Sequence, residues 1–473
     1  MVFADLREFL RCLEEQGELA RVHVEVEKDH EIGAICRKVN DHAGPGLLFE
    51  KVRGYSVPLA CNLLGTKKRF AMALGTSDGA LTEEWLRRTS LPPINPVLIS
   101  RGACQENIFV GDGLDLLKMF PIPIWNELDG GPFITLPIVI SRDPETGIRN
   151  AAMYRLQVHE RNKLGILMAP YRHTEIHRGK ASAEGRGLPV AIAIGTDPAV
   201  ALAALAPLPF GVDEFAMAGA LRGEPVEVVR CKTVDLEVPA TAEIVLEGEI
   251  LIGETKEEGP YGDFTGYYGA KVKRPVVEIK AITHRDRPIY QGLYNGRPPT
   301  EEQIIRGLPI EIDIARQCPL PGIKKINLTM GGCGAFNCVV SIEKKFEGFG
   351  KMIALAVLGT WGARFVKTLI IVDDDIDPFD WNQVEWALAT RVQPHRDVEI
   401  IRDIVGCILD PSLPYQERQT GRSRTSKMII DATKYDAAEF EVPCRPKQDV
   451  AEKVNREWAK YGIGIPSGSS RLP

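Results

Sequence analysis

Residues Glu258 to Tyr268 read Glu-Gly-Pro-Tyr-Gly-Asp-Phe-Thr-Gly-Tyr-Tyr, with the two acids Glu258 and Asp263 on either side of a Gly-Pro-Tyr-Gly turn. Such a turn can aim both carboxyls into one cavity. Acids that close titrate together, so one can stay protonated as a donor while the other remains an anion, which is equipment for acid/base chemistry. A polar hairpin tip carrying two solvated acids accounts for the same string.

Other residues offer chemistry at a distance from that turn. Asn150 and Arg155 lie five residues apart at the start of a strand that runs on to His159. An arginine there can hold a carboxylate through two parallel hydrogen bonds, or face water. In His173-Thr-Glu-Ile-His177 two histidines share a face if the stretch is helical, but the H-E-x-x-H arrangement is absent. Thr174 can equally cap a helix that leaves His173 outside and puts His177 in its first turn. A single ligand histidine at a helix start, close to an anion, suits the spacing better. Glu214 opens a short helix, where the helix dipole favours an acid in any case. Asp373-Asp-Asp-Ile-Asp377 follows a strand and reads as a magnesium site or, preferably, as a solvated loop capping the next helix. Arg418, Arg422, Arg424 and Lys427 form a basic stretch able to clamp a phosphate or to face water. The sequence has no Walker loop, no G-x-S-x-G elbow and no Rossmann fingerprint after a strand.

Composition bounds these readings. A chain of 473 residues exceeds one ordinary core and implies two or three domains. Its 44% hydrophobic and 26% charged residues are an ordinary globular balance, and a formal net charge of −6 argues against a nucleic-acid partner. No apolar run reaches membrane-span length, and the start reads as an amphipathic helix carrying acids rather than a signal peptide, so a cytoplasmic protein is expected. Ten scattered cysteines suggest reduced core thiols; Cys333 and Cys338 lack a neighbouring histidine and do not read as a zinc site.

The elements that must position these residues follow from periodicity. Leu6, Phe9, Leu10 and Leu13 recur at helical spacing, and Leu19 to Val26 alternates as a half-buried strand. A helix over His30 to Val39, strands over Leu47 to Val52 and Val57 to Leu63, and helices over Lys67 to Leu74 and Leu81 to Thr89 continue an α/β lobe. The prolines of Leu91 to Pro96 mark a connector. Strands then dominate to about residue 295: Phe133 to Ser141, Ala151 to His159, Pro189 to Ile194, Ala242 to Glu249, Val276 to Thr283 and Pro288 to Tyr294. This pattern predicts a small barrel or bent sheet whose loops include the opening motif. A helix from Thr300 to about Arg316 leads into a second α/β alternation through Ile323 to Leu328, Asn337 to Glu343, Phe349 to Leu358, Lys367 to Val372 and Val384 to Arg391. Val450 to Tyr461 reads as a last amphipathic helix before a loose tail.

The ordered set Asn150, Arg155, His173, Glu214 and Glu258-Gly-Pro-Tyr-Gly-Asp263 resembles the UbiD-like decarboxylases, which use prenylated FMN. The likeness extends from DLREFLRCLEEQGEL through LRGEP at Leu221 to Pro225 and VDDDIDPFD at Val372 to Asp380 to SKMIIDAT at Ser426 to Thr433. It implies an N-terminal α/β lobe (1–100), a split β-barrel flavin-binding domain (101–299), a linker helix (300–320) and a C-terminal α/β oligomerisation domain (321–473), assembled as a homodimer or homohexamer. By the same resemblance Asn150, His173 and Glu214 hold a divalent metal, manganese, with potassium beside it, against the flavin phosphate. Ala152, Met153, Tyr154 and Arg155 line the flavin together with Ala204, Leu205, Ala206 and Pro207, and Lys427 is added by the SKMIIDAT string alone. Arg155 would pair with Glu258 and orient the substrate carboxylate, and Asp263, where many relatives carry glutamate, would deliver the proton that replaces carbon dioxide. Asn295, Arg297 and Thr300 fall in the substrate-pocket region.

The resemblance implies reversible decarboxylation of an aromatic or α,β-unsaturated acid, hydroxybenzoate-type first, with a flavin prenyltransferase supplying the cofactor. A phosphorylated aliphatic acid, a non-catalytic flavin-binding subunit and a plain flavin oxidoreductase are the alternatives.

Overall fold

The computed structural model describes residues 3–420, 423–435 and 439–464. Arg422 and the expected loose tail beyond 464 lie outside them. The first helix, Leu6–Glu15, is capped by Asp5, whose side chain accepts from the Glu8 N–H, and it buries Leu6, Phe9, Leu10 and Leu13 as the spacing predicts. It covers a four-stranded sheet ordered Leu19–Val22, Gly46–Phe49, Leu59–Cys61 and Tyr290–Gln291. The last of these strands arrives from more than two hundred residues downstream and stitches the N-terminal lobe to the centre of the molecule.

The central sheet runs Phe133–Ile134, Leu156–Val158, Lys163–Ile166, Val272–His284, Ile244–Glu258, Leu188–Ile194, Ile138–Arg142 and Arg149–Met153, and Asn107–Val110 pairs on the outside of Val272–His284. Neighbours along this path are antiparallel throughout. Strand Arg149–Met153 forms one edge, and Leu156–Val158 is second from the other. Only Tyr154 and Arg155 separate these two strands in the chain, a link that spans on the order of 10 Å. The sheet must therefore curl until its edges nearly meet, giving the expected half-barrel, with Arg155 placed across the split.

The C-terminal unit is a five-stranded mixed sheet ordered Ile323–Leu328, Asn337–Ile342, Thr368–Asp373, Arg424–Ala432 and Val398–Val405, flanked by the helices Phe349–Leu358 and Trp381–Arg391. Between the two sheets runs the linker helix Glu301–Gln317, begun by a capping box in which Thr300 and Gln303 satisfy each other's backbone N–H groups. It touches every part of the molecule. Glu301 accepts from the Leu64 N–H at 2.6 Å, Gln303 donates to the Phe264 carbonyl at 2.8 Å, and Glu311 accepts from the Leu328 N–H at 2.7 Å. Among the described residues no helix is long and apolar enough to cross a membrane.

Candidate active site

Arg155 organises the site. Its Nε and Nη2 donate to the two oxygens of Glu258 at 2.8 and 3.2 Å, its Nη1 donates to Asp263 Oδ2, and the guanidinium lies 4.6 Å from the centre of the Tyr261 ring. Both acids are withdrawn from water, Glu258 at 0% and Asp263 at 4% exposure, which removes the reading of a solvated hairpin tip. Burial works against the charged form of Arg155, but the Glu258 and Asp263 carboxylates outweigh it and hold the guanidinium above its ordinary pKa.

The turn between the acids has a fixed shape for identifiable reasons. Glu258 ends the long strand Ile244–Glu258, and Gly259 follows at φ +96°, a backbone region that disfavours side chains. The Gly259 N–H donates to Gln157, and the Gly262 N–H donates to Asp129 at 2.8 Å. A Cβ on Gly262 would stand 2.5 Å from the Asn126 amide. The chain therefore folds back over the barrel mouth, and Asp263 fixes its own direction by accepting from the Phe264 N–H at 2.8 Å.

Arg155 and Asp263 line a cavity of about 290 Å³ that extends to Asn150, His173 and Glu214. Asn150 Oδ1 stands 3.1 Å from His173 Nδ1. An amide oxygen only accepts, so Nδ1 carries the proton and the lone pair of Nε2 is left for another partner. The helix His173–Ala183 begins at His173 itself, with Arg172 in the cap position. Thr174 is therefore not the cap; it is buried inside the helix and accepts from Asn150 Nδ2 at 2.9 Å. His177 turns away to Ser141 Oγ at 3.0 Å. Glu214 opens the helix Glu214–Arg222 and accepts from the Ala151 N–H at 2.7 Å. Burial pushes its carboxyl up to about 8 against the pull of that N–H, so this acid calls for either a proton or a cation. Ala152, Ala204 and Ala206 also line the cavity, and their small side chains leave room for a flat ring system.

Several expectations need correction. Lys427 is buried away from the cavity and donates to the carbonyls of Ala363, Arg364 and Val366 at 2.8 to 3.0 Å, because its strand directs it at the loop behind the cavity wall. Arg297 is exposed, and Thr300 is spent on capping the linker helix, so of the three substrate-pocket candidates Asn295 alone reaches the cavity. The loop after Thr368–Asp373 is solvated at Asp374 and Asp375, as preferred, and the cap of the next helix is Asp380; Asp373 is buried against Arg391, Asp375 pairs with Arg391 and Lys434, and no metal-ligand cluster forms there among the described residues. Among the described members of the basic stretch, Arg424 faces Asp403 at 3.5 Å and Lys427 is buried on backbone carbonyls, so these two do not converge as a phosphate clamp. Arg155 lies between two strands rather than on one. Sequence reasoning missed Arg172, Glu302, Arg306 and Arg364, all of which line the cavity. Only Glu302 and Arg306 carried a signal, as an i, i+4 pair at the start of a capped helix.

Three sequence models of one family match the chain in order. They are the N-terminal domain over residues 10–89, the Rift-related domain over 97–298 and the C-terminal domain over 303–432 of 3-octaprenyl-4-hydroxybenzoate carboxy-lyase. The chain belongs to the UbiD family. Solved UbiD-class structures align along nearly its whole length. HmfF from Pelotomaculum thermopropionicum, in complex with FMN, is 40% identical over 95% of this chain and 99% of its own, with a TM-score of 0.86, and an evolved dimeric form of HmfF has been solved with prFMN. The closed form of vanillic acid decarboxylase from Sedimentibacter hydroxybenzoicus is 33% identical over 97% of this chain and 100% of its own, with a TM-score of 0.85. The 3,4-dihydroxybenzoic acid decarboxylase of Enterobacter cloacae is 30% identical over 98% and 100%, also with a TM-score of 0.85. As a UbiD-family protein the chain is an enzyme of the carboxy-lyase class.

Proposed function

We propose that this enzyme carries out reversible, non-oxidative decarboxylation of an aromatic or α,β-unsaturated carboxylic acid, hydroxybenzoate-type first, with prenylated FMN as cofactor. The observation that carries the reading is Arg155 clamped between two buried acids on the wall of the cavity. Two of the aligned decarboxylases act, by name, on hydroxylated benzoic acids, which supports that substrate class.

The residues present fit the cofactor. Asn150, His173 through Nε2, and the buried Glu214 would hold manganese, with potassium beside it, as counter-ion to the flavin phosphate; oxygen donors with one imidazole suit that metal. Ala152 to Arg155 and Ala204 to Pro207 would border the flavin. When bound, the prenylated flavin supplies a sink for the electron pair left as carbon dioxide departs. The chain's own work is positional. Arg155 takes the substrate carboxylate with the donor now shared with Asp263, while Glu258 keeps the guanidinium in place by two bonds. Asp263, released from Arg155, delivers a proton to the carbon that lost the carboxylate. In the reverse direction it takes that proton and carbon dioxide is fixed.

The same reading places the enzyme in the cytoplasm, loaded by a flavin prenyltransferase. It has the enzyme assembled as a homodimer or homohexamer through the C-terminal domain, where Met352, Leu355 and Ile400 are exposed.

The test is co-expression with the prenyltransferase, followed by cofactor mass, visible spectrum and hydrogen/deuterium exchange on a panel of hydroxybenzoates and unsaturated acids. Asp263→Asn should keep the cofactor and lose product formation. Undiminished turnover would remove Asp263 from the mechanism, and unmodified FMN after that co-expression would point to a plain flavin enzyme.

A further inference from the structure

Glu302 is a cavity-lining acid that this mechanism leaves unused. It sits in the first turn of the linker helix, where an acid is expected for dipole reasons alone. Its surroundings go beyond that. It lines the cavity with Asp263, Arg155, Tyr261 and Asn295, and it is half-buried where Asp263 is only 4% exposed. Arg306, one turn along the same helix, is engaged elsewhere: its guanidinium lies 3.4 Å from the centre of the Phe264 ring and donates to the Cys333 carbonyl at 2.9 Å. The helix is fixed against the catalytic turn by the bond from Gln303 to the Phe264 carbonyl, one residue along the chain from each acid.

The charged and titratable groups facing Glu302 are Arg306 on its own helix, Asp263 and Tyr261 on the hairpin, and Arg155 at the barrel split, with the Asn295 amide on the same cavity wall. Burial raises the Glu302 pKa against the pull of Arg306. The Asp263 charge adds to the rise, and Asn295 and Arg155 oppose it.

We propose that Glu302 reloads Asp263 between turnovers. Once Asp263 has given its proton to carbon, the O–H bond of the Glu302 carboxyl breaks and one forms on the Asp263 carboxylate, directly or through a single cavity water. Glu302 then takes a proton from solvent. No oxidant or reductant is needed. Glu302 acts through Asp263 and does not touch the reacting carbon, and the inference rests on the reading of Asp263 as proton donor.

Two measurements test it. In holoenzyme assayed on the hydroxybenzoate panel, Glu302→Gln should lower kcat ten- to a hundredfold with KM changed less than twofold and should remove the alkaline limb of the kcat–pH profile; Glu302→Asp should restore both in part. In cofactor-free protein, infrared difference spectra across a pH titration should show a protonated carboxyl band that Glu302→Gln removes and that titrates at lower pH in Asp263→Asn. An unchanged kcat–pH profile in Glu302→Gln, or a Glu302 band that Asp263→Asn does not move, overturns the proposal. Normal turnover by Asp263→Asn would instead overturn the donor role on which it rests.

Discussion

Arg155 answers to two acids at once, and its removal separates charge from geometry. Arg155→Met leaves Glu258 and Asp263 buried, with Arg274 still 3.9 Å from Glu258. Stripping one partner from a buried pair costs about 3–5 kcal/mol, so chemical denaturation of the cofactor-free protein at pH 8 should show a loss of that order. Arg155→Lys keeps the charge but not the fork, so it should lose less stability while losing turnover about as completely as Arg155→Met. Equal stability losses would mean that charge alone holds the acids. The acid pair was legible because Gly-Pro-Tyr-Gly can only be a turn, and a turn brings its flanks together. Lys427 was misplaced because a string such as SKMIIDAT does not say which face of the sheet a given side chain takes. Arg172 and Arg364 were invisible because the cavity gathers them from segments far apart in the chain, with no local spacing to mark them.

Among the elements, the linker helix carries the clearest prediction. Glu311 is buried and accepts from the Leu328 N–H at the start of the C-terminal sheet. Burial, opposed by Lys67 and that N–H, pushes its carboxyl from an ordinary 4.5 up to about 7. A raised value favours the protonated fold, so the stabilisation is complete below pH 4.5 and is lost as pH rises through 7. The shift from 4.5 to about 7 corresponds to a loss of about 3 kcal/mol across that window. Glu311→Gln keeps an acceptor for Leu328 and removes the titration, so the difference in Tm between variant and parent should widen in the variant's favour from pH 5 to pH 8. A constant difference would show that Glu311 does not titrate there. Elements with both periodicity and a clean stop were read to the residue, as in Leu81–Thr89, Ile323–Leu328 and Phe349–Leu358. Strand Ile244–Glu258 extends past the Glu249 at which its apolar pattern stops, because the stretch LIGETKE leaves the core before Glu258 turns back in. Its pairing with Val272–His284 continues past a register shift between Ile250 and Thr255, and backbone pairing leaves no trace in hydrophobic pattern. The strands Val398–Val405 and Arg424–Ala432 went unread for a related reason, since the first is mostly exposed or half-exposed and the second mixes charges into its apolar run.

At the scale of the whole molecule, the cavity is complete only when the two sheets stand against each other. The half-barrel supplies Arg155 and the candidate metal ligands, while Trp361, Arg364, Phe365 and Leu409 close the far side from the C-terminal unit. Across the seam, Tyr171, just ahead of the helix that starts at His173, meets Trp361 and Phe365 with ring centres 6.3 Å apart in both cases. The loop bearing those rings is stiffened from behind by the three carbonyls that Lys427 holds, so the contact joins two firm bodies. Aromatic pairs contribute about 0.5–1.5 kcal/mol each, so losing both removes roughly 1–3 kcal/mol from the closed arrangement. On the proposed mechanism a closed site would keep water from the reacting carbon and hold the substrate carboxylate at Arg155. Tyr171→Ala leaves the proposed metal set Asn150, His173 and Glu214 untouched, so on the proposed mechanism cofactor loading should survive it. Its turnover should fall about tenfold, the equivalent of roughly 1.4 kcal/mol. Small-angle scattering should show a larger radius of gyration than the parent in the presence of product. A variant that turns over normally and scatters as compactly as the parent would mean that the seam is held elsewhere and that these rings only fill space.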